Sequence, residues 1–360
     1  MTGRSFVVVG AGIIGCMVAR LLADADPDAQ ITVLDRDLAG SGVTRRSAGL
    51  FLARGSSPRT KRMSAFSHAY YANLKASHPH LPIFPVDATA VTDGEADLSA
   101  FGYLSDLAAP TELADWSKGS PVSSGGSVRR ERAWRIGGCH YADVYGVTQA
   151  IAELARPRAR FAEGVAVTGL SIGRAGVTLH CGTGEHLTAD QVVIAPGAWL
   201  AAPAWRDLVS PLGLRIKKIV AMHIEQRPDP ADEVTLFDSQ DAFLLPVHHR
   251  GHWLFSYART EWDVDPDQLT GGLSAADVDE ARACLRRCAP SLVDAAASGR
   301  VCADAYSPLR EPVISLLEGT QERVVFAGGA GGSGYRFAPA IAAHVASVLS
   351  EGATDDHQYV

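Results

Sequence analysis

No stretch of the 360 residues approaches the ~20 consecutive apolar positions that a membrane-crossing helix needs. The first apolar stretch, residues 5–9, runs into a glycine motif rather than into the cleavage site of a secretory signal. Cysteine is sparse: six residues, at 16, 139, 181, 284, 288 and 302, too scattered for the disulfide framework of a small secreted fold. Cys284 and Cys288 stand one helical turn apart, but nothing nearby supplies the other ligands of a zinc site, so no metal is expected. Reduced thiols and a cytoplasmic setting are the expectation. Positive charge is also short, with 33 Lys and Arg against 40 Asp and Glu and a formal net charge of -7. Basic runs such as Arg129-Arg130 with Arg132 are short and interrupted, so they read as a solvated face and not as a nucleic-acid surface. There is no internal repeat, no low-complexity linker, and nothing that assigns an oligomeric state. What remains, 47% apolar and 20% charged, is the composition of a globular enzyme of one compound domain or two.

Glycine, by contrast, is abundant: 35 residues, about a third above average usage. Several fall in clusters where backbone must approach something closely. Residues 5–9 (SFVVV) read as a short buried strand of a parallel sheet. Gly10, Gly12 and Gly15 follow at once in G-x-G-x-x-G spacing, and residues 16–23 read as an apolar helix. A second strand, 31–34, ends at Asp35, 20 residues after Gly15. Gly10 permits a tight turn, Gly12 lets a pyrophosphate meet bare backbone, and Gly15 lets helix and strand pack closely. The helix start offers unpaired N–H groups and partial positive charge to the phosphates. Asp35 is placed to accept hydrogen bonds from both adenosine ribose hydroxyls. A glycine turn alone is a weak signal; strand, helix and carboxylate in mechanistic order make it a dinucleotide site. The motif does not itself separate FAD from NAD.

Three later segments make that choice. Residues 42–50 (GVTRRSAGL) form a small, basic stretch able to wrap a diphosphate and a flavin end. Residues 192–199 (VVIAPGAW) read as a strand returning to the sheet and ending in glycine beside the nucleotide, after a hairpin through 165–172 and 177–181 with a turn at 182–184. Residues 324–339 (VVFAGGAGGSGYRFAP) are again strand, glycine-rich turn and helix, the helix running to about Leu349. An NAD enzyme has no evident need for this last cluster, whereas a cofactor spanning the whole domain does.

With these residues assembled, the chain resembles the D-amino-acid oxidase family of flavoproteins, especially its glycine oxidase and sarcosine oxidase branch. The resemblance covers nearly the whole length and rests on 7–15 with Asp35, 44–50, 192–199 and 324–339. It implies an α/β (α+β overall) fold, with a Rossmann-like FAD-binding domain of the glutathione-reductase type and an antiparallel-sheet substrate domain. The FAD domain would be discontinuous, 1–80, 138–204 and 300–360, with 81–137 and 205–299 forming the substrate domain. It further implies FAD as cofactor, an amine or amino acid as substrate, and usually O2 as acceptor. The implied cofactor contacts are Gly10, Gly12, Ile14, Gly15, Asp35 and Arg36 at the nucleotide end, with Thr44, Arg45, Ser47, Ala48, Gly49 and Leu50 along the middle. Val167, Gly197 and Trp199 join them, and Gly331, Gly332, Ser333, Gly334 and Tyr335 stand at the flavin end.

On the substrate side, amine oxidation by a flavin needs orientation and desolvation more than acid–base machinery, so an anchoring cation and a shaped pocket are the features to seek. Arg336 stands where sarcosine oxidases carry a lysine that holds the substrate carboxylate, and a guanidinium grips a carboxylate through two parallel hydrogen bonds. Its alternative reading is a surface or interdomain arginine. Arg54 lies near a second carboxylate-binding arginine of that branch, in a shifted register. Tyr306 matches a tyrosine of the branch and either lines the pocket or is core. Asp304 occupies the position of the cysteine that tethers the flavin in sarcosine oxidases, and Cys302 is displaced by two residues, so the FAD is expected to be noncovalent. The same alignment puts Ala258 in place of an active-site histidine. It puts Leu254 in place of the lysine thought to help reduced flavin meet oxygen, which argues against sarcosine and against rapid oxygen use.

Residues 217–225 and 243–257 suit antiparallel strands of a sheet capping the flavin, with His248, His249 and His252 at a hairpin tip rather than on a metal. Residues 274–289 carry a helical pattern with an acidic start and a basic end. Besides an amine oxidase, the sequence leaves open a dehydrogenase that passes electrons to a partner or quinone, or a flavin-binding subunit without amine oxidation.

Overall fold

The computed structural model describes residues 3–93, 102–114 and 131–351. Arg129 and Arg130 of the basic run lie outside them; Arg132 pairs with Glu112 through hydrogen bonds of 2.6 and 2.8 Å. No helix among the described residues is long and apolar enough to cross a membrane.

Ser5–Val9, almost wholly buried and rich in β-branched residues, is an inner strand of a six-stranded sheet. The spatial order is Val313–Leu316, Val324–Gly328, Gln191–Ile194, Ser5–Val9, Gln30–Asp35 and Ala159–Glu163. The first strand runs antiparallel to its neighbour and the rest pair in parallel. The chain leaves Ser5–Val9 to one side for Gln30–Asp35 and returns on the other at Gln191–Ile194. A crevice therefore opens beyond the carboxyl end of Ser5–Val9, where Gly10 begins. The hairpin expected before Gln191 is a three-stranded meander, Val167–Gly173, Gly176–Cys181 and His186–Ala189, because a second turn at 174–175 precedes the one at 182–184.

Helix Ile13–Ala25 packs between Val144–Ala155 and Gly334–Glu351, apolar faces inward. Helix Gly334–Glu351 carries Pro339 in its interior, which removes the N–H that would have bonded the carbonyl of Tyr335. The Tyr71 hydroxyl, on helix Pro58–Ser77, donates to that carbonyl at 2.8 Å instead.

The second large sheet has eight strands in the order Ala296–Tyr306, Arg215–Ile224, His252–Tyr257, Ala242–Val247, Val234–Phe237, Ala88–Asp93, Glu131–Ile136 and Thr111–Leu113. One face, with Val220, Met222, Leu244 and Phe255, buries against helix Ala275–Cys288. That helix starts on a capping box in which the Ser274 and Asp277 side chains each accept the other's backbone N–H. The opposite face looks toward the six-stranded sheet, and its apolar members join the main core. The architecture is the expected Rossmann-like α/β sheet beside a sheet that is antiparallel except where Val234–Phe237 pairs in parallel with Ala88–Asp93.

Candidate active site

Between the two sheets lies a continuous cavity of ≈ 1510 Å³, larger than the roughly 300–1,000 Å³ of an ordinary small-molecule pocket. One end of it is built by the glycine turn of residues 10–15. A Cβ at Gly15 would stand 1.8 Å from the Gly10 carbonyl oxygen, so only glycine lets the helix come this near the strand. The Ile13 N–H donates to Thr44 Oγ1 at 3.0 Å. The N–H groups of Gly12, Ile14 and Gly15 have no acceptor among the described residues and sit on the cavity wall. Asp35 Oδ2 accepts from the Ala11 N–H at 2.7 Å and Oδ1 from the Asp37 N–H at 2.9 Å. Each oxygen keeps a lone pair for a ribose hydroxyl. Burial raises the Asp35 pKa while these two N–H groups pull it back down.

Most other expected cofactor contacts line the same cavity: Gly10, Arg36, Thr44, Ser47, Ala48, Gly49 and Leu50, then Val167, Gly197 and Trp199. Gly331, Gly332, Ser333, Gly334 and Tyr335 line its far end. Gly331 has φ of +54°, and a Cβ there would stand 2.4 Å from the Tyr306 ring, so this turn tolerates nothing larger. Arg45 differs. It turns outward, is exposed, and lies over the Tyr145 ring at 5.7 Å, while its neighbour Arg46 faces the cavity. The two arginines sit in the 3₁₀ turn Val43–Arg46, where each residue rotates about 120° from the last, so only one of them faces inward.

The far end also carries the charged groups. Arg336 is half-buried, its Nη2 donates to Ser333 Oγ at 2.6 Å, and no carboxylate pairs with it among the described residues. Burial, then the nearby Arg54 cation, lowers its pKa to about 9, and it stays charged at neutral pH. Arg54 is partly neutralised by Asp238, 3.5 Å away, and its guanidinium lies 5.8 Å from the Tyr103 ring centre. Tyr306 lines the cavity against Trp262, ring centres 5.4 Å apart, and burial raises its phenol.

Strand register brings in Arg300 and Lys217, which motif reading missed, beside Cys302, Asp304 and Tyr306, which it named. Arg300, Cys302, Asp304 and Tyr306 alternate onto the cavity face of their strand, opposite Ala221, Ile219, Lys217 and Arg215 of the next. The Lys217 ammonium lies 5.3 Å from the Trp262 ring centre and 5.7 Å from that of Tyr306. Burial lowers its pKa. Arg300 reaches over to donate to the Ser47 carbonyl at 3.1 Å. Burial pushes the Asp304 carboxyl up to about 7, against the opposing pull of Lys217. Phe243, Ser256 and Ala258 continue the lining, whereas Leu254 is buried in the core beside it. At the hairpin tip His248–Arg250 the histidines part company: His248 Nε2 lies 3.0 Å from the Asp232 carbonyl and His249 Nδ1 3.3 Å from the Tyr141 hydroxyl.

Unclaimed helix N–H groups, a ribose-ready carboxylate and a second glycine turn facing the same long cavity are a donor set that fits a dinucleotide with a ring system at its far end. A profile of the FAD dependent oxidoreductase family (DAO) matches residues 5–348. The chain belongs to that family, and FAD is its cofactor. Known structures of this fold include NikD, an unusual amino acid oxidase essential for nikkomycin biosynthesis. It is 18% identical with a TM-score of 0.81 over 99% of this chain and 96% of that one. L-proline dehydrogenase from P. horikoshii is 18% identical, TM-score 0.78, over 98% and 95%. Glycine oxidase from Geobacillus kaustophilus is 15% identical, TM-score 0.76, over 98% and 97%. No curated protein sequence matches the chain. These neighbours share the fold.

Proposed function

We propose that this flavoprotein oxidises a C–N bond of an amino acid or a related carboxylate-bearing amine, with O2 as the acceptor that reoxidises the cofactor. The observation that carries the reading is Arg336: a guanidinium at the cavity's far end with no counter-ion among the described residues. A desolvated cation of this kind is stabilised by a bidentate carboxylate, which is what such a substrate brings. FAD, when bound, supplies the hydride acceptor. The chain's own part is to hold the carboxylate at Arg336, with Arg54 beside it, and to wall the amine between Tyr306, Trp262 and Phe243. The low-dielectric walls exclude water and strengthen the ion pair.

The division of labour that goes with this reading assigns 1–80, 138–204 and 300–360 to the cofactor and 81–137 and 205–299 to the substrate. Strand Ala296–Tyr306 serves both sides of the line at 300. The flavin is proposed to be noncovalent, because a carboxyl, Asp304, takes the place the resemblance gives to a tethering cysteine. Colour released into the supernatant after acid precipitation is the expected result; colour kept in the pellet overturns it, with Cys302 the first suspect.

Anaerobic mixing with a panel of amines tests the activity: carboxylate-bearing amines should bleach the flavin bands. Arg336→Ala should lower kcat/KM for them by about 1.5–3 kcal/mol, roughly 10- to 150-fold, and leave amines without a carboxylate unaffected. An unchanged preference for carboxylates in this variant removes the anchor. A second reading, electron transfer to a partner or quinone, rests on the apolar Leu254. Slow reoxidation in air with fast reduction of a dye distinguishes it.

A further inference from the structure

We propose that Asp267 is a positioning residue for the cofactor: it fastens a strap, residues 258–267, across the cavity and so governs how fast FAD leaves. The strap springs from the end of strand His252–Tyr257 and is held at its near end by backbone. The Lys218 N–H donates to the Glu261 carbonyl at 3.0 Å and the Asp263 N–H to the Ile216 carbonyl at 2.6 Å. There Trp262 packs edge-on to Tyr306, at the end where the second glycine turn lies. Its other end reaches the opposite side of the cavity. Asp267 Oδ1 accepts from Arg36 Nη2 at 2.7 Å and from Trp199 Nε1 at 2.8 Å.

Those two partners are themselves joined, the Arg36 guanidinium lying 4.5 Å from the Trp199 ring centre. Arg36 directly follows Asp35, the carboxylate placed for the ribose, and the Trp199 ring covers Gly42 of the cofactor loop. The hydrogen bonds of Arg36 and Trp199 hold the Asp267 carboxyl below its usual pKa. The strap thus runs along the cavity wall from the flavin end to the adenosine end, and every residue from 262 to 267 lines it. A dinucleotide lying under such a strap leaves when the far end lets go, and that end is held by side chains alone. Arg36 and Asp267 are both well exposed, so the fastening adds little to the stability of the empty protein and is weakened by salt.

The test measures release of FAD from the holoprotein by the rise of flavin fluorescence after dilution far below the dissociation constant, with no substrate present. Asp267→Ala should release FAD about tenfold faster, and Asp267→Asn, which keeps an acceptor for Trp199 and loses the charge for Arg36, by an intermediate factor. Asp263→Asn is the control. Asp263 makes an equally close pair with Arg215 on the same strap, 3.0 and 2.6 Å, but that end is anchored by backbone, so release should change less than twofold. Raising salt should speed release from the wild type and not from Asp267→Asn. Melting of the apoprotein separates positioning from mere structure: it should stay within about 2 °C for Asp267→Ala. Release unchanged in Asp267→Ala, or an apoprotein that melts well below wild type, overturns the proposal. Neither result bears on amine oxidation, which enters no step of the measurement.

Discussion

Lys217 and Lys218 are neighbours in the chain and face opposite sides of one sheet, and they meet opposite electrostatic conditions. Lys218 points to the side covered by helix Ala275–Cys288 and lies 3.0 Å from Asp277 and 3.3 Å from Glu261. Arg259 joins them, 2.8 Å from both Asp277 and Glu280. On that side Lys218, Arg259 and Asp277 each have a partner of opposite sign within reach. On the cavity side Lys217 and Arg336 have aromatic rings or a hydroxyl for company, and Asp304 has no ion-pair partner within 4 Å among the described residues. Neutralised charge tethers an element; unneutralised charge in a cavity waits for a ligand. The contrast separates what holds the sheet together from what it is for.

The comparison breaks most visibly at Asp277. Asp277→Ala strips the buried cations of their shared carboxylate and removes the helix capping box as well, so it should cost about 3–5 kcal/mol in denaturant unfolding. The cavity side should respond in the opposite direction. Asp304 holds its proton up to about pH 7 in the folded chain against the unfolded value of 3.8. The folded state therefore binds the extra proton between those values, and stability falls as pH rises from about 4 to about 7. Asp304→Asn should remove that fall, leaving the variant more stable than wild type at pH 8 by about 1–3 kcal/mol and little changed at pH 4. Apoprotein melting across that range checks it. Lys217→Met should be the smallest effect, within about 1 kcal/mol of wild type in stability, because no carboxylate is left unpaired by its loss. A large destabilisation by Lys217→Met, or a small one by Asp277→Ala, would erase the distinction between the faces.

How much of this was legible in the sequence follows from the range over which each feature is encoded. Strand Ser5–Val9, the turn at Gly10–Gly15, helix Ile13–Ala25 and Asp35 are one local unit whose spacing is set by the fold itself, so they read directly. The second glycine turn and helix Gly334–Glu351 read for the same reason. The inward face of strand Arg215–Ile224 did not, because two adjacent lysines carry no alternation phase; only pairing with Ala296–Tyr306 decides which one enters the cavity. Arg45 and Arg46 pose the same ambiguity in a 3₁₀ turn. Asp267 was not legible as a partner of Arg36, 231 positions away, because no local rule spans that distance.

Pro339 carries a lesson for anyone engineering this protein for heat resistance. A proline inside a helix is the first residue a consensus or propensity-guided redesign would replace with alanine. Here its missing donor is what leaves the Tyr335 carbonyl free for the Tyr71 hydroxyl, and that contact ties the start of the helix, one residue past the glycine turn, to Pro58–Ser77. Alanine would complete the helix's own ladder and set its N–H in competition with Tyr71 for one oxygen. The gain in helix propensity would come at the expense of the brace that keeps the cavity-lining glycine turn in place, so a more regular helix would make a looser cavity wall.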